Sequence, residues 1–168
     1  MIVVVMGVSG SGKTTVGRLL AQQLGWKYLE GDDFHSPENI EKMSNGVSLT
    51  NEDRMPWLAR MKNEIDNCFE NGSDAVVACS ALQNHYRAYL AAGISTIRFV
   101  YLKGESAVIR ERMKSRGNHY MKSEMLDSQF ASLEEPPDAI VADIRKAPED
   151  IVSQVESELM CIANRGAS

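Results

Sequence analysis

Near the start of the chain, Gly7-Val8-Ser9-Gly10-Ser11-Gly12-Lys13-Thr14 matches the pattern GxxxxGK[ST] and leaves few folds open. The apolar run 2–6 before it reads as a buried strand. After it, Val16, Leu19, Leu20 and Leu24 recur at helical spacing, with Gly25 as a stop. Strand, glycine loop and helix in that order form a cradle for phosphate. Glycines let successive N–H groups curl around phosphate oxygens, and the helix points its positive end at the anion. With ordinary residue frequencies the pattern arises by chance in roughly one sequence of this length in two hundred. The run is therefore read as a site for a nucleotide triphosphate. Lys13 can set an ammonium on the β- and γ-phosphates, and the Thr14 hydroxyl can ligate Mg²⁺. Gly7, Ser9, Gly10, Ser11, Gly12 and Thr15 complete the candidate nucleotide contacts.

Strand-like and helix-like segments alternate along the rest of the chain, with no repeat or linker, so its 168 residues are read as one domain, 1–168. Strands are expected at 26–30, 75–79, 97–102 and 139–142. Helices are expected near 55–69, 84–92, 105–115, 122–133 and 149–162. Pro56 fits the first of these helices if Asp53 is its N-cap, which places the proline in the first turn. This alternation implies an α/β fold, with a five-stranded parallel sheet covered by helices on both faces and ligands at the carboxyl ends of the strands.

Acidic residues number 23 against 18 basic ones, for a formal net charge of −5. That balance argues against nucleic acid as a partner. Cys68, Cys79 and Cys161 form no CxxC pair and no disulfide framework. The apolar opening is too short to span a membrane and lacks a basic start, so a cytoplasmic protein is expected.

The acceptor of the phosphate is sought beyond the cradle. After the second strand stands Glu30-Gly31-Asp32-Asp33-Phe34-His35. A carboxylate there could take the proton of an attacking hydroxyl, or the run could be a solvated acidic turn. Arg54 lies at a helix start, where the dipole disfavours a cation, which raises a ligand role for it. Trp57 is read first as core, because it lies on the apolar helix stripe. Ser80 could bind the metal through water or cap the helix that follows. Arg87, one turn into that helix, could reach over the same opening. Arg112 and Arg116 share a helical face ahead of Gly117, the composition of a cationic lid over about 112–122.

Together these motifs resemble the gluconokinases, small ATP-dependent kinases grouped with shikimate and adenylate kinases. The resemblance runs from the first strand to about Asp143. It rests on the cradle, Gly31-Asp32 with His35, Asn39-Ile40-Glu41-Lys42-Met43, Asp53-Arg54-Met55-Pro56-Trp57-Leu58 and Cys79-Ser80-Ala81-Leu82. Tyr86-Arg87, Arg116 with His119, and Met125-Leu126 with Gln129-Phe130 also match. The chain departs from the pattern at Gln83, where a lysine is usual, and at Asn118 and Tyr120 in the lid.

The resemblance implies a P-loop NTPase three-layer sandwich with a mobile lid and an acceptor-binding segment at about 31–60. It implies transfer of the ATP γ-phosphate to the 6-hydroxyl of D-gluconate, with Mg²⁺, in a homodimer. Lys13, Asp32, Arg112 and Arg116 are the expected catalytic residues, with Asp33 in reserve for Asp32. Asp32, His35, Lys42, Arg54, Arg87 and His119 are expected to bind gluconate. Two rival readings remain: a kinase for another small anion or a nucleoside monophosphate, and a nucleotide-dependent switch without turnover.

Overall fold

A computed structural model describes residues 1–115 and 123–165. Five strands run β1 (Ile2–Met6), β2 (Lys27–Glu30), β3 (Ala75–Ala78), β4 (Ile97–Lys103) and β5 (Ile140–Asp143). They form one parallel sheet in the order β2-β3-β1-β4-β5. Strand β1 is central and buried at every residue, as its uninterrupted apolar sequence requires. The chain leaves β1 toward β2 and β3, then crosses to β4 and β5 on the other side. The end of β1 is thus the topological switch point, where open α/β sheets bind ligands.

Side chains of β1 alternate between two cores. Val3 and Val5 face α1 (Lys13–Leu24) and α7 (Pro148–Arg165). Ile2, Val4 and Met6 face α3 (Asn51–Glu70) and α4 (Asn84–Ala91). Two further helices, α5 (Ser106–Ser115) and α6 (Ser123–Ser132), lie over the strand ends, and their Ile109 and Leu126 join the α1/α7 core. Among the described residues, no helix is long and apolar enough to cross a membrane.

The structure corrects the start of α3. Thr50, not Asp53, is the N-cap. The Thr50 hydroxyl accepts from the Asp53 N–H at 3.3 Å, and the Asp53 carboxylate accepts from the Thr50 N–H at 3.0 Å. That reciprocal box adds a turn upstream. Pro56 then lies inside the helix, on an exposed stretch where the bond lost to the Glu52 carbonyl faces water. A short helix missing from the sequence-based expectation, α2 (Pro37–Ser44), is started by the Ser36 hydroxyl accepting from the Asn39 N–H at 3.2 Å. Proline at its first position suits that start.

Candidate active site

The phosphate loop follows β1 as expected. Gly7 adopts φ +144°, and a Cβ there would lie 2.9 Å from the Ser11 hydroxyl and 3.0 Å from the Leu102 carbonyl oxygen. Only glycine fits that turn. Lys13 Nζ folds back to the Val8 carbonyl at 3.1 Å. Burial pushes its pKa down, against the pull of Asp32. Ser11 is buried, and its hydroxyl has no hydrogen-bond partner among the described residues. A desolvated ammonium and an orphaned hydroxyl in one loop are groups that an incoming phosphate would satisfy. Thr14 and Thr15 are exposed at the start of α1.

Beside the loop lies a cavity of ≈ 380 Å³ with Ser9, Asp32, Asp33, His35, Arg54 and Ser80 in its wall. A 3₁₀ turn (Gly31–Phe34) at the end of β2 delivers the two aspartates. The turn sits tightly on β3, since a Cβ on Gly31 would meet the Ala78 carbonyl oxygen at 2.3 Å. Trp57 holds the turn from the other side. Its indole N–H donates to the Gly31 carbonyl at 2.7 Å, and its ring stacks on His35 at 4.5 Å. Trp57 is therefore core, as its stripe predicts, and also a builder of the site. Burial lowers the His35 pKa, with Arg60 and Arg54 adding to the shift against Asp32, so the imidazole is neutral at pH 7. Its Nδ1 is buried with no hydrogen-bond partner among the described residues.

At the end of β3, Ala81 adopts φ +43°, a strained backbone for a residue with a Cβ. Arg87 supports that turn, its guanidinium donating to the Ala81 and Leu82 carbonyls at 2.9 Å each. Arg87 is buried and absent from the cavity wall, contrary to its expected reach over the opening. Lys42 is also outside the wall, paired with Asp53 at 2.7 Å. Ser80 lines the cavity and does not cap α4, whose first N–H instead donates to the Glu134 carboxylate. Cys79 is a buried thiol that burial pushes up to about 12, so in the absence of a metal it is protonated. Arg112 donates to the Ile144 carbonyl beyond β5. Arg116, His119 and most of the expected lid lie outside the described residues.

Sequence reasoning gave Gln129 no role. In the structure its amide oxygen accepts from the Ser9 N–H at 2.7 Å, and its amide nitrogen donates to the Ser9 hydroxyl at 3.1 Å. The available signal was helical spacing, since Met125, Ser128, Gln129 and Ser132 share the α6 face that lines the cavity.

Comparison with known proteins agrees with this geometry. The shikimate kinase family model matches residues 9–159. The thermoresistant gluconokinase of Escherichia coli (strain K12) is 41% identical over 156 residues, covering 90% of this chain and 89% of that protein. The chain belongs to the gluconokinase family. Another relative, the gluconokinase of Gluconobacter oxydans (strain 621H), is 45% identical over 135 residues, covering 80% of this chain and 76% of its own. The crystal structure of a gluconokinase from Sinorhizobium meliloti 1021 superposes with a TM-score of 0.88 at 39% identity, covering 97% and 93% of the two chains. The α/β architecture expected from sequence is the architecture of this family of P-loop kinases.

Proposed function

We propose that this protein transfers the γ-phosphate of ATP to the 6-hydroxyl of D-gluconate, giving 6-phospho-D-gluconate and ADP. The observation that carries the reading is the meeting of phosphate loop and cavity at Ser9, with Asp32 in the same wall. Membership of the gluconokinase family supports the choice of acid. A polyol ending in a carboxylate suits a cavity that holds an arginine, an imidazole and hydroxyls.

Asp32 orients the acceptor hydroxyl and takes its proton as the new O–P bond forms and the bond to ADP breaks; Asp33 is the reserve. Lys13, with Arg112 and Arg116, neutralises charge on the phosphates. Gly7, Ser9, Gly10, Ser11, Gly12, Thr14 and Thr15 line the nucleotide's path. The Thr14 hydroxyl, with Ser80 through water, would hold Mg²⁺, which when bound screens phosphate charge. Arg54 and His35 contact the sugar acid, with His119 from the lid at about 112–122. Lys42 and Arg87 act one step back: Lys42 braces Asp53 at the head of α3, and Arg87 shapes the 80–83 turn. The reading includes a cytoplasmic homodimer, whose dimerisation light scattering on the purified chain tests.

A panel of aldonic acids with ATP and Mg²⁺, read by ADP formation, tests the function. Gluconate is expected to give the highest kcat/KM. A nucleoside monophosphate outperforming it, or ATP binding without turnover, overturns the reading. In the same assay Asp32→Asn is expected to lower kcat by about 10²–10⁴-fold with ATP affinity nearly intact. Unchanged turnover removes Asp32 from the mechanism.

A further inference from the structure

The Val8–Ser9 peptide unit is held from both sides. Its carbonyl accepts from Lys13 Nζ at 3.1 Å and from the Ser11 N–H at 3.2 Å. Its N–H donates to Gln129 Oε1 at 2.7 Å, while Gln129 Nε2 reaches the hydroxyl of the same serine at 3.1 Å. A primary amide is suited to this pair of bonds, because it offers an acceptor and a donor side by side. A carboxylate would lack the donor and would bring negative charge toward the phosphates. The bond from the N–H to Gln129 Oε1 also polarises the carbonyl on which the lysine ammonium rests.

Gln129 belongs to α6, and neighbours on the same face, Met125 and Ser128, line the acceptor cavity. The helix is tied to α5 by the Arg110–Asp127 ion pair and to the β3 turn through Glu134, whose N–H donates to the Leu82 carbonyl at 2.9 Å. A displacement of α6 is therefore passed to the plane of one peptide in the phosphate loop, and through it to the resting place of the Lys13 ammonium.

Resting on the kinase reading above, we propose that Gln129 is a positioning residue for phosphoryl transfer: its two-bond grip on Ser9 fixes the Val8–Ser9 peptide that seats Lys13, and registers the phosphate loop against the wall of the acceptor cavity. Its contribution is alignment. Its loss is felt in kcat and in the fraction of phosphoryl groups that reach the sugar acid instead of water. A misplacement of about 1 Å can cost on the order of 10²-fold in rate.

The test is Gln129→Met, which keeps the length and bulk of the side chain and removes both hydrogen bonds to Ser9. We expect kcat with gluconate to fall by about 10- to 100-fold. Both KM values should stay within about threefold, as expected when an interaction acts on the transition state. The ratio of ADP formed to phosphogluconate formed should rise above that of the unaltered enzyme. Ser9→Ala, which removes only the hydroxyl bond, is expected to give a smaller loss, and adding it to Gln129→Met no further loss. Unchanged kcat and product ratio overturn the proposal. So does a fall in kcat that merely tracks a lost folded fraction, or fully multiplicative effects in the double variant. If Gln129→Met does not fold, Ser9→Ala decides alone: wild-type kcat and product ratio refute the grip, and a reduced kcat with KM unchanged supports it. All variants are measured with whichever acid the unaltered enzyme prefers. A wrong acceptor therefore fails in the parent protein, and a wrong role for Gln129 fails only in the variants.

Discussion

Gly31 shows how the lack of one methyl group places a carboxylate. No unusual φ is needed there; the constraint is the 2.3 Å approach of a would-be Cβ to the Ala78 carbonyl oxygen, with Met61 closing the space at 3.3 Å. Backbone cannot yield as a flexible side chain can. Gly31→Ala is therefore expected to push the turn off β3 and carry Asp32 with it, lowering kcat by about 10-fold or more and lowering the melting temperature. Steady-state kinetics with a thermal melt checks this, and parental values in both would show that the turn relaxes freely. The sequence makes Gly31-Asp32 visible as a pair after a strand. It does not show the reason for the glycine, which is a contact with a strand more than forty residues further on.

Among the elements, α4 and the turn before it are where sequence and structure part most clearly. Spacing puts Arg87 one turn into a helix beside the cavity, and a cation there reads naturally as a ligand group. The rotation of the helix is set by Tyr86 and Leu90 packing into the α3 side of the core, and it turns the guanidinium toward the Ala81 and Leu82 carbonyls. Arg87→Met is expected to leave those buried acceptors unsatisfied, at a cost of about 1–3 kcal/mol. The strained 80–83 turn should loosen and raise the KM for the acid more than that for ATP. Urea unfolding and steady-state kinetics report the two effects; a KM change confined to ATP would mean the turn serves the nucleotide. Helix α3 teaches the same lesson at its start. The sequence singled out Asp53 as the cap, and only the backbone path shows that Thr50 is the cap and Asp53 its partner in the box.

At the scale of the whole molecule, acid stability reports on the site. The folded pKa of His35 lies below its ordinary 6.5 because burial opposes its charged form. Below 6.5 the unfolded chain binds a proton that the folded chain refuses. The contribution of neutral His35 is thus complete above that value and is lost as pH falls from there toward the folded pKa. Stability should fall as pH drops below about 6.5, and less steeply in His35→Gln. Urea midpoints at several pH values measure the difference, and equal slopes in the two proteins would remove His35 as a source. The phosphate cradle, the alternating strands and helices and the parallel sheet were legible in the sequence, because turn chemistry and hydrophobic period are local. Of the residues expected to bind the acceptor, Asp32, His35 and Arg54 line the cavity, whereas Lys42 and Arg87 do not. Tertiary structure decided which of those residues face one another. Gln129 meets Ser9 across 120 residues, and Trp57 reaches back to Gly31. Such pairings depend on how the sheet and its covering helices close over one another, and no local pattern encodes the distance between two segments that only packing brings together.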